Sequence, residues 1–173
     1  PREAPLATTI SELLSEDHLL HKPIDDAMSR EAFPKYLEEI DGGKMFLLAS
    51  QVAELERFTT KMDDEMKEGD LVLARKGAAL MKQRRDAVAK LVAELLAQPF
   101  DFSSKEEVET DPKKLAWCAT EADLKTRWQQ LLKLQVLERV GQMEDIAEAL
   151  SKKKPVNDED GAVARSLDKI PPT

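Results

Sequence analysis

The 173-residue chain is poor in several things that would announce a function. It has one cysteine, Cys118, which excludes an internal disulfide and removes zinc-ribbon and iron–sulfur arrangements, both of which need several thiolates. There are six glycines, with neither a Gly-rich phosphate loop nor a Gly-x-Ser-x-Gly elbow among them. Basic charge is in the minority: 26 Lys and Arg against 34 Asp and Glu leave a net charge of −8. A free-standing nucleic-acid binder is thereby disfavoured, because neutralising phosphates needs a basic face. No apolar run approaches the roughly 18 residues of a membrane-spanning helix, so no transmembrane segment is expected. No charged-then-apolar leader opens the chain at Pro1-Arg2-Glu3-Ala4-Pro5; any secretory signal has been removed or was never there, and the compartment stays open on this ground. There is no internal repeat.

What is present is helical. Five isoleucines and nine valines stand against 23 leucines and 20 alanines, the residues that lose least rotamer freedom in a helix. With 42% hydrophobic and 35% charged residues, the chain can bury a core in water and is no disordered acidic tail. The expected fold is all-α: an irregular bundle of about five to six helices with one long central helix and an aromatic-anchored loop. Periodicity places helices at about Thr9–Leu20, Ser29–Ile40 (with Pro34 near the first turn) and from an N-cap at Ser50 to Lys67. The longest is Leu71 to about Ala97, with Leu73, Leu80, Met81, Val88, Leu91, Leu95 and Leu96 as its core stripe. Gly77 would let a neighbouring helix approach closely. The stretch from Pro99 to Ala119 has no helical period, and Phe100, Phe102, Val108, Leu115 and Trp117 are its expected anchors. Thr120 and Asp123 resemble a capping box ahead of the helix carrying Leu124 and Trp128. Gly141 weakens that register before a last amphipathic stretch from Met143 to Lys152. Residues 1–151 read as a helical domain and 152–173 as a polar linker.

Three clusters invite a chemical reading. His18 and His21, flanked by Glu16, Asp17 and Asp25, share a helical spacing that can hold a metal, but no third ligand stands at a fixed offset. Cys118 beside Trp117 is better read as a small buried side chain than as a nucleophile, since no base stands near it in sequence. Asp63, Asp64, Glu65 and Glu68 lack the spacing and central glycine of a calcium loop, and read as a solvated helix face. Lys82, Arg84 and Arg85, like Lys152, Lys153 and Lys154, read as solubilising basic clusters. No catalytic constellation emerges, and no cofactor or metal is expected.

Several motifs do stand in a recognisable order. Phe33-x-x-Tyr36-Leu37-x-x-Ile40-Asp41 is followed by Leu47-Leu48-x-Ser50, then Gln83-Arg84-Arg85, Phe100-Asp101-Phe102, Asp111-x-x-Lys114-x-x-Trp117, and Glu121-x-x-Leu124 with Trp128. Over about residues 24–140 this series resembles the N-terminal helical region of bacterial tail-specific proteases, the carboxy-terminal processing peptidases. The chain departs from the family pattern at Gln51 (usually Asp), at Ala116 (usually Pro) and in a polar turn shortened to Gly42-Gly43.

The resemblance implies a periplasmic or secreted serine endopeptidase that cleaves near the C-termini of its protein substrates. In that family a PDZ module follows the helical region, and a Ser nucleophile with a Lys general base sits in the protease core beyond it. Neither module has a counterpart here, so the chain is expected to be the non-catalytic N-terminal piece, and no catalytic residue can be carried over. The partners implied are the PDZ and protease modules of the same polypeptide, protein substrates and an adaptor protein. The family-motif residues Phe33, Tyr36, Leu37, Asp41, Phe100, Asp101, Phe102, Trp117 and Trp128 are expected to be structural anchors, because large rings on amphipathic faces usually fill a core. The alternative is a free-standing helical module that docks a partner protein.

Overall fold

The computed structural model describes residues 3–16 and 23–152. Among these residues there are six α-helices and no strand. They are α1 (Glu3–Glu16), α2 (Asp26–Asp41), α3 (Ala49–Leu55), α4 (Met62–Glu68), α5 (Val72–Leu96) and α6 (Glu121–Lys152), with a 3-10 turn at Glu56–Phe58. The all-α expectation is borne out and the expected long helix is present as α5, but with 25 residues it is not the longest: α6, with 32, is longer. None of the described helices is long and apolar enough to cross a membrane. His18, His21, Asp17 and the stretch 153–173 lie outside the described residues.

The chain divides into two compact units, Pro1–Leu134 and Gln135–Thr173. In the first, α1 and α2 both pack against α4. Phe33, Leu47, Val52, Leu55, Leu73 and Met81 form its central core, with Tyr36, Leu37, Ile40, Phe58, Leu80 and Trp117 around them. A second cluster joins Val88, Cys118 and Leu124 to Val92 and Trp128, and Phe46 packs against both clusters. In the second unit the described helix, residues 135–152, leaves Leu137, Val140, Met143, Ile146 and Leu150 largely exposed.

Helix boundaries follow side-chain caps that periodicity did not show. α2 begins a turn earlier than expected because the Asp25 carboxylate accepts the N–H groups of Ala27 (2.9 Å) and Met28 (3.1 Å). Pro34 therefore sits in the helix interior and not in its first turn; it is exposed, and the bond it cannot donate is forgone on the solvent side. The expected single helix from Ser50 to Lys67 is two, α3 and α4, separated by the 3-10 turn. α3 is capped at Leu48 and not at Ser50: the Leu48 N–H donates to Gln51 Oε1 (3.0 Å), and Ala49 N–H donates to the Cys118 carbonyl (2.9 Å). Thr120 and Asp123 do form the reciprocal cap of α6, each side chain accepting the other's backbone N–H. α6 runs unbroken through Gly141.

Two further expectations are corrected. The acidic run is a solvated face only at Asp64 and Glu68, which are exposed; Asp63 and Glu65 are buried. Asp63 is locked reciprocally to Ser29: the hydroxyl donates to Oδ1 (2.6 Å) and accepts the Asp63 N–H (2.9 Å), while Lys67 Nζ donates to Oδ2 (2.8 Å). Burial alone would lift the Asp63 carboxyl; the bonds from Lys67 and Ser29 outweigh it and hold the group below its ordinary range. Glu65 caps α5 from another helix by accepting the Leu73 N–H (2.9 Å to Oε2), and burial, the dominant cause, pushes its carboxyl up. Within the α5 stripe, Leu96 is exposed and Arg84 takes a buried position. Gly77 does permit a close approach: a Cβ there would lie 1.7 Å from Tyr36 Oη, whose hydroxyl donates to the Leu73 carbonyl at 3.3 Å.

Candidate functional site

The motif residues separate into three places in the first unit. Phe33, Tyr36 and Leu37 lie on α2 facing the core, with the Phe33 and Tyr36 rings 6.4 Å apart. Phe100, Asp101 and Phe102 lie in the long connection after α5. Asp41, Trp117 and Trp128 converge on the short link between α2 and α3, residues 42–48, and there the geometry is most tightly determined.

That link has no helix or sheet to satisfy its backbone, so side chains do so. Asp41, at the end of α2, accepts three successive N–H groups: Met45 (2.9 Å, to Oδ1), Phe46 (3.0 Å) and Leu47 (2.8 Å, both to Oδ2). The carbonyls are taken from the other side. Arg127 Nη1 donates to Lys44 O (2.7 Å), Trp128 Nε1 to Met45 O (2.7 Å), and Arg84 Nε to Phe46 O (2.8 Å). An unpaired buried peptide group is costly, which explains why six backbone groups in four residues find six side-chain bonds. The link is bent enough that Lys44 adopts a left-handed φ of 52°, with its own N–H on the Asp41 carbonyl at 2.9 Å. This conformation costs a non-glycine residue about 1–3 kcal/mol and persists where the surroundings over-determine it.

The clamp extends outward. Arg84 uses its remaining nitrogens on both carboxylate oxygens of Glu121, the first residue of α6, and so joins α5, α6 and the link in one network. The bond from Arg84 holds the Glu121 carboxyl below its ordinary range. Arg127 Nη2 also donates to Ala116 O (2.9 Å), and Lys44 Nζ donates to Leu115 O while lying 5.8 Å from the centre of the Trp117 ring. Phe46 meets Trp128 edge-on, centroids 6.0 Å apart. Burial pushes the Asp41 carboxyl up, against the pull of its three N–H donors and of Arg127. Burial likewise raises the Cys118 thiol, which disfavours the thiolate; the contribution of Cys118 to the site is its backbone carbonyl.

Beside the clamp is a cleft of about 350 Å³ lined by Pro34, Leu37, Lys44, Lys113 and Trp117. The second motif region is held differently. Phe100 and Phe102 meet edge-on at 6.2 Å, Lys133 Nζ lies 5.7 Å from the Phe102 ring centre and bonds Glu106, and Phe102 stays 43% exposed. Asp101 accepts the Ser103 N–H at 2.8 Å in a local turn, the first cause of its lowered pKa. Among the described residues no group of three or more His, Cys, Asp or Glu side chains is placed to hold a metal ion.

Sequence reasoning missed Arg127, Lys44 and the part played by Arg84. Arg84 stands in the basic step of the motif series, and Arg127 adjoins Trp128, but nothing in either pattern says that a guanidinium will close on a carbonyl 38 or 83 residues away.

The chain is 28% identical over 125 residues to a tail-specific protease of Haemophilus influenzae, an alignment that covers 72% of this chain and 18% of the relative. The chain therefore spans about a fifth of the length of the relative it matches. The family model described as the tail-specific protease N-terminal domain matches residues 10–168, so that Asp41, Trp117, Trp128 and every helix carrying the clamp fall inside the match. The chain thus belongs to the family of tail-specific protease N-terminal domains.

Proposed function

We propose that this chain is the non-catalytic helical domain of a periplasmic serine endopeptidase that cleaves near the C-termini of its substrates, and that it packs on the PDZ and protease modules and helps guide or gate protein substrates. The observation that carries this reading is the family match over residues 10–168, set beside a tail-specific protease more than five times longer than the aligned segment. The exposed residues Leu137, Val140, Met143, Ile146 and Leu150 support it: all five are more than 45% exposed, and at about 100° per residue the last four fall within roughly a third of the helix circumference. An apolar patch of this extent is what a further packed module would cover. The polar groups of the clamp support a scaffolding role, since they are engaged with backbone carbonyls and amides of the domain itself. Chemistry is on this reading left to a Ser/Lys pair in the protease core.

The test compares the isolated chain with the intact protease on a folded reporter protein carrying an unstructured apolar C-terminal tail. The isolated chain should leave the reporter whole. The intact enzyme should cleave it, and deletion of the helical domain, with the nucleophile untouched, should change which reporters are cut. Cleavage by the isolated chain would overturn the non-catalytic reading; an unchanged substrate range after deletion would remove the gating role.

A further inference from the structure

Away from the clamp, α5 and the 3-10 turn after α3 enclose a cavity of about 510 Å³ whose floor is apolar and whose rim is basic. Leu55 in the floor is buried, and Phe58 and Leu80 are half-buried; all three belong to the central core and its packing shell. Arg57, Lys61 and Lys76 stand around the opening, all exposed, and none makes an ion pair among the described residues. Lys76 is held over the Phe58 ring at 5.0 Å from its centre. Glu54 is the one carboxylate among the described residues lining the cavity. In a chain of net charge −8, three unpaired cations around one apolar hollow are a local reversal of sign.

We propose that this hollow is a docking site for an acidic peptide segment of a partner protein, one apolar side chain seated on Leu55, Phe58 and Leu80 with flanking carboxylates on Arg57, Lys61 and Lys76. The charge complementarity chooses the occupant, because desolvating one apolar side chain supplies affinity while the rim selects the sign of its neighbours. In an extended peptide, alternate side chains point opposite ways, so with a Leu facing the floor the acidic residues two positions to either side face the protein with it and reach the rim, while its immediate neighbours point to solvent. A free phosphate would leave the apolar floor unused. A bilayer would need a protruding apolar surface, whereas Phe58 is recessed. The site does not depend on the proteolytic reading.

The experiment titrates the full chain with a fluorescein-labelled, end-capped Asp-Glu-Leu-Glu-Asp peptide, a Ser-Asn-Leu-Asn-Ser control and phosphatidylglycerol vesicles, following anisotropy and the methyl NMR signals of the protein. The acidic peptide should bind in preference to the control, shift the Leu55 and Leu80 methyls, and weaken as salt rises. R57Q/K61Q/K76Q should weaken it about tenfold, the combined worth of three exposed ion pairs. Should that variant lose helical signal, the methyl map and salt dependence of the unaltered chain decide. Equal binding of the neutral peptide, shifts confined to other methyls, an unaffected triple variant, preference for the vesicles, or no binding at millimolar peptide would each overturn the proposal.

Discussion

Two irregular segments carry family-motif residues, and they are built in opposite ways. The link 42–48 is short and its backbone is held at six points by Asp41, Arg84, Arg127 and Trp128. The connection from Pro99 to Ala119 is three times as long and mostly exposed; its end, Leu115–Cys118, is tied to the link side by Lys44, Arg127 and Ala49, whereas from Phe100 to Glu106 it rests on one ring pair and the contacts of Lys133 with Phe102 and Glu106. The contrast teaches that lack of regular structure does not mean lack of order: a loop becomes rigid when each of its peptide groups has a designated partner, and motif residues can supply the partners.

The largest expected effect separates the two aspartates. Asp41→Ala removes the acceptor for three N–H groups and should cost about 3 kcal/mol or more in urea unfolding, at about 1–3 kcal/mol for each buried donor left unpaired. Asp101→Ala, at an exposed local turn, should leave the midpoint where it is. Equal losses at the two positions would erase the distinction. Hydrogen exchange sharpens it further: the amides of Met45, Phe46 and Leu47 should exchange orders of magnitude more slowly than those of Lys105, Glu106 and Glu107.

Next in size, Trp128→Phe keeps a ring against Phe46 but orphans the Met45 carbonyl, and about 1–2 kcal/mol should be lost. A pH series then tests Arg84 and Glu121. The folded-state pKa of Glu121 is lowered, so its contribution is present above the unfolded pKa and is lost as the pH falls through the folded one. The stability margin of the wild type over Glu121→Gln should therefore be measurable at pH 7 and fade through the acid side of the ordinary Glu range; a margin that grows on acidification would contradict the assigned pairing. Smallest of all, Phe102→Ala, at a ring already 43% exposed, should cost under about 1 kcal/mol, against about 3–5 kcal/mol for Phe33→Ala in the core.

The helices and the motif order were legible because both are written in local spacing. The 3.6-residue stripe of Leu73, Leu80, Met81 and Val88 marks α5 wherever it is read, and Thr120 with Asp123 announces α6. Pro34 and Ser50 misled for the complementary reason. Each is a strong local signal overruled by a partner nearby in space, Asp25 fixing the start of α2 and Cys118 with Gln51 fixing that of α3. The buried Asp63, Glu65 and Arg84 were hidden more deeply. A charged residue is read as exposed until the residue that neutralises or bonds it is known, and Ser29, Leu73 and Glu121 lie 34, 8 and 37 positions away.

The amino-acid order by itself determined that the chain is helical, where its long helix lies, and which family it resembles, since composition, periodicity and motif spacing are properties of neighbours along the chain. Only the tertiary structure decided that Asp41, Arg84, Arg127 and Trp128 close on one loop, and that three cations ring an apolar hollow beside Phe58. Those juxtapositions depend on how the helices pack, and packing is set by the sum of many contacts between residues distant in sequence.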